Sequence, residues 1–388
     1  MKYVKNLIIL FICILLSLSL TACWSSIELN KMGIVTGIAL SRYSKEEDLN
    51  IIAQVGVPRP EKSSSGVGGN EEYVNIKQKG NTVAVALRNI SREYNRTLFF
   101  AHNQVVVFGR DLAHQGIGEQ IDFFLRNRET RPLTWMLVSN DDIDNILENN
   151  TRVKENPGIS IGKLIKNEEN VSQLPIVTFR DFTSKLMSKT TAPVMPIIEL
   201  KTNEDKSKTP FIAKTAVFAK DKMIGELNEA ESMGLLWGTN KIKRATISVK
   251  SPDENEKVTI RINRAKSKLK PRIQGDTIYM SLEVHTEGDI MEQTTSKDLS
   301  DPQIIKVIED TASKQIEKEV INAFSKSKEL GADIFGFGDT IYKYKPKVWK
   351  QIETKWDKEL QSIRFEVKVD ARVRRMGKIT KPATFEGK

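Results

Sequence analysis

Residues 1–23 constrain this chain more than any other stretch. Lys2 and Lys5 precede an apolar run from Leu7 to Leu20, and the small residue Ala22 stands just ahead of Cys23. A basic start, a short apolar core and a small residue before a cut make the pattern of a secretory signal peptide. The run falls short of the roughly 20 apolar residues that a permanent spanning helix needs. Residues 1–22 are therefore expected to be removed between Ala22 and Cys23, and the rest has to fold as a water-facing body. No later segment approaches spanning length.

The residue at the cut changes what the leader implies. Leu20-Thr21-Ala22-Cys23 resembles a bacterial lipobox, in which the thiol takes a diacylglycerol before cleavage and the new N-terminus an acyl group such as palmitate. The competing reading is an ordinary signal peptide followed by a coincidental cysteine. Each buried methylene contributes roughly 0.8 kcal/mol, and a single chain holds only marginally, so a doubly acylated Cys23 is a lasting anchor. The mature chain is then attached to a membrane without crossing it.

The chain has two cysteines. Cys13 leaves with the leader and lipid consumes Cys23, so no thiol remains for a disulfide or a metal, and the fold stands on its core. The 388 residues leave room for two or three domains, and 39% hydrophobic and 28% charged content is ordinary for a globular protein. The formal charge is +10. That balance suits anionic lipid headgroups or a merely solvated surface; nucleic acid is excluded as a partner, because an exported chain rarely meets it.

Periodicity predicts strands over 33–40, 48–57, 73–79, 97–108, 133–138 and 194–200, with helices over 82–94, 112–125, 141–147, 159–168 and 179–187. The Pro-, Ser- and Gly-rich stretch 58–70 predicts a loop. The charged stretch 201–209 predicts an interdomain linker. A hairpin (215–219 and 222–224) and a helix over 227–237 follow, then four strands in an antiparallel meander: 245–249, 257–262, 267–273 and 277–285. A long helix is expected from Pro302, with Asp301 as its cap and Ile305, Ile308, Ile316, Val320 and Phe324 on one face. Short helices over 333–341 and 347–356 precede a last strand, 365–373. The predicted fold is α+β, a mixed α/β arrangement of several domains with largely antiparallel sheet. The expected division is a leader at 1–22, an α/β region at 23–200 that is either one domain or two dividing near 140, the linker, and an α+β domain at 210–388.

Motifs for chemistry are sparse. With three histidines and no His/Cys cluster, no zinc site, catalytic set or cofactor is expected. No phosphate-binding glycine loop or nucleophile elbow appears. Gly336-Phe337-Gly338 is read as a turn or packing feature and His102 as a satisfied buried residue within a strand. Arg126, Arg128 and Arg131 around Glu129 are read as helix-end and ion-pairing residues, with anion binding as the alternative. Arg261, Arg264, Lys266, Lys268 and Lys270 share strand faces that suit headgroups, an acidic partner or plain solvent, as do Arg372, Arg374 and Arg375. Trp237, Trp349 and Trp356 are read as packing residues.

The order of several motifs resembles one family. Cys23-Trp24, Glu28-Leu29 and Gly-Ile-Val-Thr-Gly-Ile-Ala at 33–39 are similar to the start of the Ger(x)C lipoproteins, the C subunits of spore germinant receptors. The likeness continues through His102-Asn103-Gln104-Val105 and its apolar run to Gly109, then Phe123 to Arg131, then Ala216-Val217-Phe218 and Gly225-Glu226-Leu227. It ends with Gly234-Leu235-Leu236-Trp237, the stretch from Ala332 to Gly338, Trp349, Trp356 and Arg374-Arg375-Met376-Gly377. Ser25 departs from the pattern, which more often has an acidic residue there.

The resemblance implies a three-domain body without an assigned catalytic site, on the outer face of the spore inner membrane. The implied partners are an A-type integral membrane subunit and a transporter-like B-type subunit that recognises the germinant. The C subunit is required for the response to nutrients. Beyond lipidated Cys23, no ligand-binding residue carries over. The expected function is thus a non-enzymatic, lipid-anchored receptor subunit. The alternatives are a solute-binding lipoprotein that captures a small nutrient itself, and an anchored hydrolase that no motif supports.

Overall fold

The computed structural model describes residues 2–19, 31–56, 73–148, 156–251, 256–275, 277–295 and 297–377. Helix α1 (Lys2–Ser19) leads the chain, and its apolar residues Leu7 and Phe11 are exposed. Among the described residues, no helix is long and apolar enough to cross a membrane.

Buried β-branched runs build the first sheet. Strand β1 (Met32–Ser41) pairs antiparallel with β2 (Leu49–Gly56), which pairs with β3 (Tyr73–Gly80). Helix α2 (Val83–Glu93) starts where the Thr82 hydroxyl accepts the Val85 N–H at 3.2 Å, and it buries Val83, Ala86, Leu87 and Ile90. The strand expected over 97–108 is two strands. Both β4 (Thr97–Phe99) and β5 (Val105–Gly109) run parallel to β1 but pair with successive parts of it. The interruption lies beside a bulge in β1, where Gln104 N–H donates to the Thr36 carbonyl at 3.0 Å.

The helix expected over 112–125 also divides, into α3 (Arg110–Gln115) and α4 (Gly118–Arg126). Gly116 has φ of 116°, which a side chain would strain, and the opening admits Asp221. Asp221 accepts from Ile117 N–H at 3.0 Å through its carbonyl and from Gly118 N–H at 3.2 Å through its carboxylate. Next come β6 (Trp135–Ser139), α5 (Ile143–Glu148), α6 (Pro157–Val171) and α7 (Phe179–Leu186), the last begun by a Thr178–Asp181 capping box.

Strand β7 (Val194–Thr202) lies parallel to β6, then β8 (Lys208–Ala219) and β9 (Lys222–Leu227) add antiparallel strands. The stretch 201–209 is therefore no linker. Lys201 pairs with Thr209 and Thr202 with Lys208, and Asn203 Nδ2 donates to Ser207 Oγ at 2.9 Å to close the turn. The order is β3-β2-β1-β5-β6-β7-β8-β9, with β4 also on β1. Its centre is parallel and both flanks are antiparallel.

The second sheet has order β10-β11-β12-β13, from β10 (Ala245–Lys250), β11 (Lys257–Gln274), β12 (Thr277–Gln293) and β13 (Arg364–Arg375). Two expected strands are one here, because a bulge between Ile262 and Arg264 carries β11 through. β13 joins β12 in parallel. Helices α8 (Glu229–Gly238) and α9 (Pro302–Glu329) cover one face, and Asp301 caps α9 by accepting Gln303 N–H at 2.8 Å. Ile308, Ile316, Val320 and Phe324 are buried as expected, while Ile305 is half-buried. Short helices α10 (Phe337–Tyr344), α11 (Pro346–Ile352) and α12 (Trp356–Ser362) follow. One apolar cluster joins Phe218 on β8 to Ile334, Phe337 and Trp349. The mixed α/β, multidomain expectation is borne out, with the long helix in the C-terminal half.

Glycines set how closely α8 meets α9 and the segment after it. A Cβ on Gly234 would sit 2.0 Å from the Glu319 carbonyl oxygen, and one on Gly238 would sit 2.2 Å from the Phe335 ring. Between them Trp237 is fully buried and donates Nε1–H to Glu319 Oε2 at 3.1 Å. Helix propensity alone favours Gly→Ala by about 1 kcal/mol, whereas overpacking costs about 1–3 kcal/mol or more. A contact against rigid backbone makes the clash win. Gly234→Ala is expected to lower the urea unfolding midpoint by the equivalent of about 1–3 kcal/mol; a raised midpoint would show that the helices do not touch there.

Candidate functional site

The carboxyl ends of β1, β5 and β6 lie side by side, and the chain leaves each in a polar run. A cleft of about 230 Å³ opens there, lined by Arg42, Tyr43, Arg110, Asp111, Asn140 and Asp142 among others. Strand ends of a parallel sheet are where ligands of open α/β folds collect. Each wall has a local cause. Gly109 ends β5 and begins α3, which presents Arg110 and Asp111; Ser139 Oγ donates to the Asp141 carbonyl at 2.6 Å and turns the chain into α5.

A chain of polar contacts holds the floor. Arg110 donates to Asn140 Oδ1 at 2.6 Å and to Glu226 Oε2 at 3.1 Å, Asn140 donates to Glu199 at 2.5 Å, and Lys214 donates to Glu226 at 2.7 Å. Burial pushes the Glu226 carboxyl up, but Lys214 and Arg110 outweigh it and hold the group below its ordinary range. At the mouth Asp142, with burial and Asp144 and Asp111 behind it, raises the Tyr43 phenol. The local field is negative there, and Arg42 and Arg110 line the same cleft. Such a lining can hold a small polar molecule carrying both charges. Ser139 is committed to a carbonyl, the Tyr43 hydroxyl donates to Asp142 Oδ2 at 3.4 Å, and His102, His114 and His285 all lie outside the lining.

The residues singled out from the sequence do not converge on this cleft. Ala22 and Cys23 lie outside the described residues. His102 is not buried in a strand; it is exposed in the turn between β4 and β5, its ring centroid 6.0 Å from that of Phe99. Arg126, Arg128 and Arg131 are exposed, Arg126 pairs with Asp122 at 2.7 Å, and Glu129 accepts Phe100 N–H at 3.0 Å. Trp349 and Trp356 pack edge to face with centroids 5.3 Å apart. The cleft residues themselves escaped the sequence reading.

Gly336-Phe337-Gly338 belongs to a different arrangement. Asp333 is buried, and its two oxygens accept the N–H groups of Phe337 and Gly338, each at 2.9 Å. That side-chain cap delays α10 to Phe337. Asp333 also gives its carbonyl to Ala192 N–H at 2.9 Å, while Asp339 accepts from Thr190 Oγ1 at 3.0 Å and Thr191 Oγ1 at 2.5 Å. The clasp joins the segment before β7 to the segment after α9.

Two family models match the chain: the spore germination protein N-terminal domain over residues 25–200, and the spore germination B3/GerAC-like C-terminal model over residues 213–377. Spore germination protein KC of Bacillus subtilis (strain 168) is 27% identical over 410 residues, covering 99% of each chain. Spore germination protein YndF of the same organism is 27% identical over 92% of this chain and 93% of its own. The crystal structure of the GerBC protein shares the fold at a TM-score of 0.54 and 15% identity, over 87% of this chain and 96% of that one. The fold is thus one shared with the GerBC protein. The chain belongs to the Ger(x)C family of spore germination proteins.

Asp333 yields a test in this shared frame. Burial pushes its carboxyl from the ordinary 3.8 up to about 6, against the N–H groups of Gly338, Phe337 and Gly336. A carboxyl raised by folding takes up a proton, so its contribution to stability is fullest below pH 3.8, declines as pH climbs to about 6, and is flat above. The stability of the native chain minus that of Asp333→Asn should therefore fall from pH 4 to pH 6; a difference that rises would contradict the assignment. Asp333→Ala leaves buried N–H groups without acceptors and should lower the urea midpoint by about 1–3 kcal/mol at every pH.

Proposed function

We propose that this chain is a lipid-anchored, non-catalytic subunit of a nutrient germinant receptor. Residues 1–22 are removed, Cys23 carries a diacylglycerol and an acyl chain, and the body lies on the outer face of the spore inner membrane. It works with A-type and transporter-like B-type integral membrane subunits. The observation that carries the reading is likeness along nearly the whole chain to spore germination proteins, behind a leader that ends in Leu20-Thr21-Ala22-Cys23. The exposed apolar residues of α1 agree with a leader that the body does not need. The polar cleft favours a second reading, in which the body itself captures a small nutrient.

The test follows germinant-triggered dipicolinic acid release in spores that lack redundant receptors and whose sole copy carries Cys23→Ala. With the protein shown to be made, release is expected to fail or slow sharply. Unchanged release on deleting the whole gene removes the receptor assignment. Isothermal titration of candidate nutrients into the purified chain and its Arg110→Ala variant then decides the second reading.

A further inference from the structure

The second sheet buries one face and leaves the other open. Val258, Ile260, Leu282 and Val284 turn inward against α8 and α9. Outward along β11 point Arg264, Lys266, Lys268, Lys270 and Arg272, all exposed. At about 3.3 Å per residue this row extends about 26 Å. Register brings β13 to the same face: Lys268 faces Glu283 and then Lys368, Arg272 faces Tyr279 and then Arg364, and Arg264 faces Glu287 and then Arg372.

The carboxylates on these rows are largely occupied. Arg272 holds Glu366 at 2.9 Å, Arg372 holds Asp370 at 2.8 Å, and Arg374 holds Glu287 at 2.7 Å. Lys266, Lys268 and Lys270 make no ion pair or side-chain hydrogen bond among the described residues. A strip of unpaired lysines remains, with Tyr279 beside it under the Arg272 guanidinium at 4.5 Å.

The make-up of the strip selects its occupant. Protein interfaces centre on buried aromatic or apolar anchors and are depleted in lysine. In the described part of this sheet the exposed large apolar residue is Met291, towards the end of β12 and away from the lysines. An anionic bilayer surface asks for no such anchor, and each lysine near it contributes about 1 kcal/mol. We propose that the outer face of this sheet, centred on Lys266, Lys268 and Lys270, lies against a bilayer surface of anionic lipid headgroups. The inference deepens the proposed membrane attachment and gives it an orientation.

The experiment uses the full-length chain carrying Cys23→Ala, so no acyl chain contributes and failure of lipidation cannot mimic failure of the face. Its partition onto vesicles with phosphatidylglycerol is compared with that onto purely phosphatidylcholine vesicles, beside a variant with Lys266→Gln, Lys268→Gln and Lys270→Gln. These positions are exposed, and an unchanged thermal melt checks the fold. The parent chain should prefer the anionic vesicles, high salt should erase the preference, and the variant should lose about 10- to 100-fold of it. Equal partition of parent and variant, or no preference for anionic lipid, overturns the proposal. If the parent shows no preference yet the variant stops germination in spores, the face meets an acidic protein and the membrane assignment falls.

Discussion

The side-chain amide of Gln54 is fully buried and holds four elements together. From β2 its Nε2 donates to Asn75 Oδ1 on β3 at 2.9 Å and to the Leu147 carbonyl of α5 at 2.8 Å. Its Oε1 accepts Gly158 N–H at the start of α6 at 2.7 Å. Burying an amide costs several kcal/mol unless its bonds are remade, and here both donors and the acceptor are used. Gly158 has to be a glycine for this, because a Cβ would meet the Thr36 carbonyl oxygen at 2.8 Å and Gln54 Oε1 at 3.0 Å. Thr36 is the β1 bulge residue, and its Oγ1 donates to the Gln54 carbonyl at 3.2 Å. One satisfied amide thus fixes where α5 ends and α6 begins, hence how both helices lie on the sheet that ends in the cleft.

Most element types were legible because apolar period and caps are local. Thr82, Asp301 and the alternation of β13 mark their elements from the sequence alone. Most of the misses depend on a distant partner. Nothing near Gly116 announces that Asp221 enters there, and nothing near Gln104 announces the β1 bulge. Asn203 to Ser207 has a composition that serves a linker or a hairpin turn equally, and only pairing of its flanks decides. Asn263 and Arg264 look like a turn yet form a bulge. The cleft was invisible for a related reason: Ser41 to Tyr43, Gly109 to Asp111 and Ser139 to Asp142 are each an unremarkable polar run after a strand. They converge only because β1, β5 and β6 are parallel neighbours.

The motifs that carry the family likeness serve packing more than chemistry. Gly234 lets α8 rest on α9, Gly238 makes room for the Phe335 ring, Trp237 is buried between them, and Gly338 leaves room for the Thr190 side chain. Gly336 adopts φ of 72°, which suits a residue without a side chain and lets Asp333 cap α10. Phe124 meets Phe179 edge to face with centroids 6.3 Å apart, and Val105 to Val107 are buried in the parallel centre. Likeness in these residues speaks for a common body. The cleft and the basic strip are built from polar residues that lie mostly outside those motifs.

The magnitudes assign the anchor and the basic strip different tasks. Three lysines at about 1 kcal/mol each give about 3 kcal/mol, a binding constant near the millimolar range, which vesicles at high lipid concentration register but which gives no lasting attachment. Two acyl chains supply attachment of another order, since each methylene contributes roughly 0.8 kcal/mol. A body already held by its first residue meets the bilayer at high effective concentration, and the same 3 kcal/mol or so then favours one orientation over others by about 100-fold. On the proposed tether, the lysine strip therefore decides which face looks at the membrane rather than whether the protein stays there. An interaction of that size is sensitive to salt and to headgroup composition, so a modest change at the surface alters how the body is presented to its partners while leaving it attached.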